Sequence, residues 1–308
     1  MKHSLAIVIP AYKDSFLREA LSSIASQTCQ DFTLYIGDDC SPHPIKAIVD
    51  EFWDKIDLVY KRFDTNLGGK DLVAQWDRCI AMTSGEQYIW LFSDDDVMEE
   101  DCVRSFLNLP IEVKQKYNVF HFNVKRINEQ GDVTTVPQFY PTVLESFDYY
   151  RGKLYGKYAS LVVENIFTRE IYEKSGGFEK FDLAWGSDTA TWAKFCSSQG
   201  IYTIDDTFVK WRVSSENISP NNSKEMVERK SSALSEFFKW SYNFYSERRL
   251  DCTIVNIRAY ISRMAMFKKK LNKERYRENL MHFCKIHHCT VLKPVIDVLI
   301  IIKSNCLR

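Results

Sequence analysis

Residues 88–92, Tyr-Ile-Trp-Leu-Phe, are followed after Ser93 alone by Asp94, Asp95 and Asp96. The apolar run reads as a buried strand. The chain must therefore carry two or three carboxylates to one edge of a sheet. Like charges that close repel unless a cation lies between them. The simplest such cation is a hard divalent ion, which takes oxygen ligands and often brings a phosphate with it.

The segments around this edge repeat one pattern. Residues 5–9 form a short continuous apolar run rich in β-branched side chains, the mark of a strand covered on both faces. Residues 15–27, 44–53 and 70–83 have helical spacing, and Gly85 is expected to cap the last of these. Strands are expected at 32–36, 56–60 and 87–92. Strand and helix alternating with short connections predict an α/β fold, a parallel sheet with helices on both faces. Ligands of such sheets sit outside the carboxyl ends of the strands. Pro10, Ala11 and Tyr12, the Asp38-Asp39 pair and residues 94–96 all fall at such ends.

From residue 117 the pattern changes. Residues 117–125 read as a strand, with 132–136 pairing back across the turn at 128–131. Helices are expected at 145–154, 168–175 and 187–199, and two short strands at 201–204 and 207–213. Beyond about 223 the chain is helical by pattern and basic. Residues 251–308 hold twelve Lys/Arg against four Asp/Glu, a balance of +8 in a chain of zero formal net charge. A basic tail beside an acidic body suits an anionic surface.

The nine cysteines are scattered with no CxxC, which fits reduced thiols in a cytoplasmic protein better than a disulfide framework. The first ten residues hold too few apolar side chains for a secretion signal and read as a strand. No stretch of eighteen uncharged apolar residues is present, so no membrane span is expected.

Six segments in order carry a resemblance. They are Val8-Ile9-Pro10-Ala11-Tyr12, the Gly-Asp-Asp-Cys-Ser stretch at 37–41, Asn-Leu-Gly-Gly at 66–69, Gly-Glu-Gln-Tyr at 85–88, Ser-Asp-Asp-Asp at 93–96, and Gly-Gly-Phe at 176–178 followed by Trp185-Gly186-Ser187-Asp188. Together they resemble the landmarks of family 2 glycosyltransferases over roughly residues 4–215. The resemblance implies a GT-A (Rossmann-like), mostly parallel sheet flanked by helices. A glycosyltransferase domain is then expected over 1–222, with a nucleotide-binding half to about 98 and an acceptor half beyond, and a basic helical C-terminal extension over 223–308.

The resemblance also implies roles. Pro10, Ala11, Tyr12 and Asp39 would hold the base of a nucleotide-sugar donor, a carboxylate accepting the uracil imide N–H, with Asp38 as the alternative. Asn66, Gly69 and Asp94 are further nucleotide-binding positions. Asp94, Asp95 and Asp96 would hold Mg²⁺ or Mn²⁺ against the donor diphosphate. The triplet reads either with Asp94-Asp95 as the terminal pair of Asp-x-Asp-Asp, Phe92 standing at the first Asp, or as a literal Asp-x-Asp. Asp188 would take the proton of the attacking hydroxyl in an inverting displacement; Ser187 replaces the acid that commonly precedes it. Glu164 and Asn165 fall where acceptor or donor-sugar contacts are expected. Trp185 is placed to stack on a sugar face, and Arg212 and Lys13 to reach a phosphate.

The expected reaction moves one sugar, carried on UDP, to a hydroxyl of a glycan or lipid-linked glycan, as in surface-polysaccharide assembly. A non-catalytic nucleotide-sugar-binding module is the alternative. The tail, with Lys268, Lys269, Lys270, Lys273, Arg275 and Arg277 around an apolar side, suits the cytoplasmic face of an anionic membrane. Nucleic acid is not expected as a partner, since the body is acidic. His282, Cys284, His287, His288 and Cys289 lack a second ligand pair, so a solvated helix end with buried thiols is expected there rather than zinc.

Overall fold

The computed structural model describes residues 3–217 and 221–306. Its strands are β1 (Leu5–Ala11), β2 (Phe32–Asp38), β3 (Leu58–Arg62), β4 (Tyr88–Leu91), β5 (Val97–Met98), β6 (Val119–Ile127), β7 (Val143–Leu144), β8 (Asn165–Thr168) and β9 (Ile201–Arg212). Its α-helices are α1 (Leu17–Ala25), α2 (Ile45–Asp50), α3 (Leu72–Ile80), α4 (Cys102–Leu107), α5 (Ile111–Lys116), α6 (Ser146–Leu154), α7 (Arg169–Lys174), α8 (Ser187–Phe195), α9 (Lys224–Glu247), α10 (Thr253–Phe267), α11 (Lys273–Ile286) and α12 (Lys293–Cys306).

One sheet runs β3-β2-β1-β4-β8-β6-β9-β5, with β7 also paired to β9. The first four strands are parallel, as their helical crossovers require. Beyond β4 the pairing is mixed: β8 is antiparallel to both β4 and β6, while β6 and β9 are parallel. Alternation along β1 divides the core. Leu5, Ile7 and Ile9 face α1, α2 and α4 on one side; Ala6 and Val8 face α3 and α8 on the other. The second face continues into α9 and α10 through Phe237, Phe238 and Tyr260, so the C-terminal helices share a core with the sheet.

Several expected elements differ in detail. The third strand begins two residues later than its apolar run. The two strands expected at 201–204 and 207–213 are one, Ile201–Arg212: the register jumps from Phe122↔Ile204 to Asn123↔Phe208, and the acidic pair Asp205 and Asp206 lies in the bulge. Residues 132–136 form no strand and meet β6 through an isolated Ile127↔Val133 bridge and hydrogen bonds from Thr134 to Arg126 O. Gly85 is left-handed (φ 92°) but lies five residues beyond Ile80, the last residue of α3, in the turn into β4 rather than at the helix cap. His287 is buried, not solvated: its Nε2 accepts from the Asn256 amide Nδ2 (2.8 Å) and its ring stacks on Phe283.

Candidate active site

A cleft of about 900 Å³ opens over the carboxyl ends of the parallel strands. Asp39, Asp94, Asp95, Asp96 and Asp188 all line it, with Pro10, Tyr12, Asn66, Gly69 and Trp185. Ala11, Asp38, Glu164, Asn165 and Arg212 do not line it and sit behind its walls.

Each aspartate of the triplet has its own anchor. Asp94 Oδ2 accepts the backbone N–H of Tyr12 and of Lys13, each at 2.8 Å, tying the end of β4 to the end of β1. Asp95 takes the Ser93 hydroxyl and the Lys13 ammonium. Asp96 Oδ1 accepts the N–H of Arg212 at 2.7 Å. Burial raises the Asp94 carboxyl to about 6; Lys13 opposes the rise and Asp95 adds to it. Asp96 is pushed well above the usual carboxylate range, by burial first and then by Asp95. Burial opposes the charge on Lys13, yet the three aspartates outweigh it and hold the ammonium above its ordinary range.

Three buried acids beside one lysine leave negative charge only partly offset. Among the described residues no three His, Cys, Asp or Glu side chains converge as a ready-made metal cluster. Magnesium does not need one, because it commonly takes one or two carboxylates with phosphate oxygens and water. Asp94 Oδ1 lies 3.6 Å from Lys13 Nζ and accepts no hydrogen bond. Hard, buried, under-compensated oxygens of this kind fit a divalent cation.

The neighbouring acids Asp38 and Asp39 part company because successive residues of an extended chain point opposite ways. Asp38 Oδ2 accepts from Tyr60 (2.6 Å) and Arg62 (2.7 Å), and Oδ1 from Ser41 N–H (2.8 Å), pinning β2 to β3. Asp39 turns to the cleft but is saturated. It accepts from the N–H groups of Leu67 (2.7 Å) and Gly68 (2.8 Å), from the Asn66 amide (3.1 Å) and from Arg78. It therefore orders the 66–69 loop at this end of the cleft, each of its oxygens already accepting two hydrogen bonds. A Cβ at Gly68 would lie 2.7 Å from Asp39 Oδ2, so only glycine lets the loop close on this carboxylate.

Asp188 stands in the first turn of α8, after a strained approach. Leu183, Ala184 and Gly186 all have positive φ (59°, 52° and 93°), and a Cβ at Gly186 would meet the Phe237 ring at 2.9 Å. The helix starts at this left-handed glycine, so Asp188 is inside the helix rather than its cap. Its Oδ1 accepts from Thr189 N–H (2.6 Å) and hydroxyl (3.2 Å), while Oδ2 makes no hydrogen bond within the described residues. Trp185 lies against Phe267 with the Lys230 ammonium over its ring at 4.7 Å.

Arg212 is fully buried and reaches no open space. Its guanidinium donates to Asp95 O (2.9 Å), Asn128 O (3.0 Å) and Glu129 O (3.1 Å) and pairs with Glu19 (2.6 Å). Its role here is to hold the aspartate turn from behind. Glu164 Oε1 accepts Leu161 N–H at 2.6 Å while Oε2 has no partner, and burial raises this carboxyl to about 7. Asn165 is paired across the sheet with His121. Sequence reasoning missed Arg78, Lys153 and Arg263. The last two line the cleft from helices whose local patterns give no sign of a site.

The chain and its architecture match known proteins. The model of glycosyl transferase family 2 matches residues 6–176, and the chain belongs to that family. The poly(ribitol-phosphate) β-N-acetylglucosaminyltransferase TarS of Staphylococcus aureus is 29% identical over 94 residues, covering 30% of this chain. The match takes in only 16% of that relative's length. The structure of TarS residues 1–349 with UDP-GlcNAc superposes at a TM-score of 0.58 and 15% identity, covering 98% of this chain and 91% of that one. The mannosyltransferase PcManGT of Pyrobaculum calidifontis, solved with GDP-Man and Mn²⁺, superposes at 0.51 and 13% identity, covering 99% and 87%. At such identities the likeness is one of fold.

Proposed function

We propose that the protein is an inverting glycosyltransferase that moves a sugar from a nucleotide sugar, a UDP-sugar above all, to a hydroxyl of a glycan or lipid-linked glycan. The supporting observation is the shared cleft of Asp39, residues 94–96 and Asp188. The Asp39-ordered loop and the Pro10–Tyr12 turn form the nucleotide end. Asp94 and Asp96, with Asp95 beside them, are the residues to hold Mg²⁺ or Mn²⁺. Such an ion offsets charge on the departing diphosphate.

Asp188 Oδ2 is the proton acceptor. The acceptor hydroxyl oxygen bonds to the anomeric carbon, the bond from that carbon to the phosphate oxygen breaks, and the hydroxyl proton passes to Asp188. Oδ1 is held by Thr189, which fixes the carboxylate's aim. Lys13, at the same rim, adds a positive charge near the leaving group.

The exposed apolar face of α12 suits the cytoplasmic face of an anionic membrane. Val291, Leu292, Val295, Val298, Leu299 and Ile302 recur at three- and four-residue spacing and are all solvent-exposed, Val291 by 89%. The one acid of α12, Asp297, is turned away and bonded to Tyr276 (2.6 Å). No helix among the described residues is long and apolar enough to cross a membrane, so this face would lie on the surface.

Calorimetry with UDP and Mn²⁺, followed by an assay for donor hydrolysis and transfer, tests the proposal. Binding with neither hydrolysis nor transfer over a broad acceptor panel would instead favour a nucleotide-sugar-binding module. Absence of any nucleotide binding would refute both.

A further inference from the structure

We infer that the cleft beside Asp188 is an anion site for the acceptor, in which Arg126, Lys153 and Arg263 take a phosphate or carboxylate group. The inference rests on the glycosyltransferase reading above and adds the chemical class of the acceptor.

The three cations come from β6, α6 and α10, far apart in sequence, and all line the cleft that holds Asp188. None has a carboxylate within 4.0 Å among the described residues. Lys153 donates only to the Ser160 carbonyl, at 2.7 Å. The Arg126 guanidinium lies 5.4 Å over the Trp211 ring. Arg263 makes no hydrogen bond to the described residues. Elsewhere, buried or half-buried cations such as Arg78, Arg212 and Lys194 pair with Asp39, Glu19 and Glu179. Lys153 and Arg263 are half-buried, whereas Arg126 is exposed at the rim. A partly desolvated cation left without an anion is costly and calls for an explanation.

Lys153 feels the other two cations. Lys153 is held below its ordinary range by burial; Asp188 opposes this, and Arg263 and Arg126 add to it. Arg263 is likewise lowered by burial, with Asp188 opposing. Asp188 is the acid of the cleft that faces them. Glu164 is near but buried behind the wall. Three positive charges against these two acids leave a surplus that an anion would neutralise.

The cleft is thus polarised. Its nucleotide end gathers Asp39 and residues 94–96, suited to a cation with a diphosphate. Its Asp188 end gathers cations, suited to a negatively charged molecule that presents its hydroxyl to the base. The departing diphosphate is the other source of such an anion. It is disfavoured because the cations cluster with Asp188, whereas Lys13 already serves the aspartate rim.

Glycerol 3-phosphate is the probe and glycerol the neutral control, both titrated into protein saturated with UDP and Mn²⁺. Wild-type protein is expected to bind the phosphate and not glycerol. Arg263→Gln and Arg126→Gln are each expected to weaken it roughly tenfold, as loss of a charge-assisted hydrogen bond does. Arg263→Lys should retain most of the affinity, and all variants should bind UDP as wild type does, which also reports their folding. Unchanged phosphate affinity in both glutamine variants, or no phosphate binding by wild type, overturns the inference and leaves the glycosyltransferase reading standing. Loss of UDP affinity in step with phosphate affinity in folded Arg263→Gln overturns it in favour of the diphosphate. Failure of wild type to bind UDP overturns the underlying reading itself.

Discussion

The backbone N–H of Arg212 donates to the Asp96 carboxylate at 2.7 Å across a sequence separation of 116 residues. The same arginine donates its Nε to the Asp95 carbonyl at 2.9 Å. The turn that carries the aspartates is thereby set by the strand that joins the sheet last. On its other side, the Tyr12 and Lys13 amides hold Asp94. The triplet is clamped from the first strand and the last, which presents acids to the cleft in one arrangement despite their mutual repulsion.

Asp188→Asn removes the proton acceptor while keeping the shape of the side chain. Transfer should fall by roughly 10²–10⁴-fold, the range of general-base catalysis. UDP affinity by calorimetry should stay near the wild-type value. Wild-type turnover in this variant would exclude Asp188 as the base.

Proton and metal should compete at the aspartate rim. The Asp94 carboxyl, raised to about 6 from an ordinary value of 3.8, keeps its proton in the folded protein where the unfolded chain has lost it. The stability it contributes is therefore present at low pH and falls as pH rises through that window; above about 6 the cost of the buried charge is complete. A divalent cation would offset that cost only when the carboxylate is ionised. The Mn²⁺-induced rise in melting temperature should be large at about pH 7.5 and shrink markedly at about pH 5. Equal rises at both would show that the metal, if bound, does not sit on Asp94.

Asp38 and Asp39 should separate by function. Asp39→Asn puts an amide against the donors that order residues 66–69, leaving some unpaired at about 1–3 kcal/mol each. UDP affinity should drop at least about tenfold. Asp38→Asn should lower the melting temperature by a comparable amount while changing UDP affinity by less than about threefold, because Asp38 joins β2 to β3 outside the cleft. Equal loss of UDP binding in both variants would contradict this division.

The apolar face of α12 should carry the protein to membranes. Val295→Ser, Val298→Ser and Ile302→Ser combined should abolish co-sedimentation with vesicles rich in phosphatidylglycerol, leaving UDP binding intact. Wild-type protein should bind neutral phosphatidylcholine vesicles far more weakly. If wild type shows no preference for the anionic vesicles, or the triple variant binds them as wild type does, the face has another purpose.

Much of this was legible in the chain. The β-branched run of β1, the helical spacing of α3 and the aspartates closing β4 depend on contacts within a few residues, where periodicity and turn chemistry speak directly. The division of Asp38 from Asp39 was half legible: alternation says they part, but which one meets the cleft depends on where Arg62 and the 66–69 loop lie. Arg212, expected from the sequence to reach a phosphate, is buried because Phe16, Glu19 and the 128–129 turn close over it.

By itself the sequence determined the α/β alternation, the acids at the strand ends and the helical, basic C-terminus, since each follows from side-chain pattern along a short stretch. Only the tertiary structure decided that Lys13 enters the aspartate rim, that Gly186 and its strained neighbours start α8 so that Asp188 falls in its first turn, and that Arg126, Lys153 and Arg263 line the same cleft. The reason is physical: a local pattern says which face of an element is buried, whereas the partner that face meets is settled by packing among elements distant along the chain.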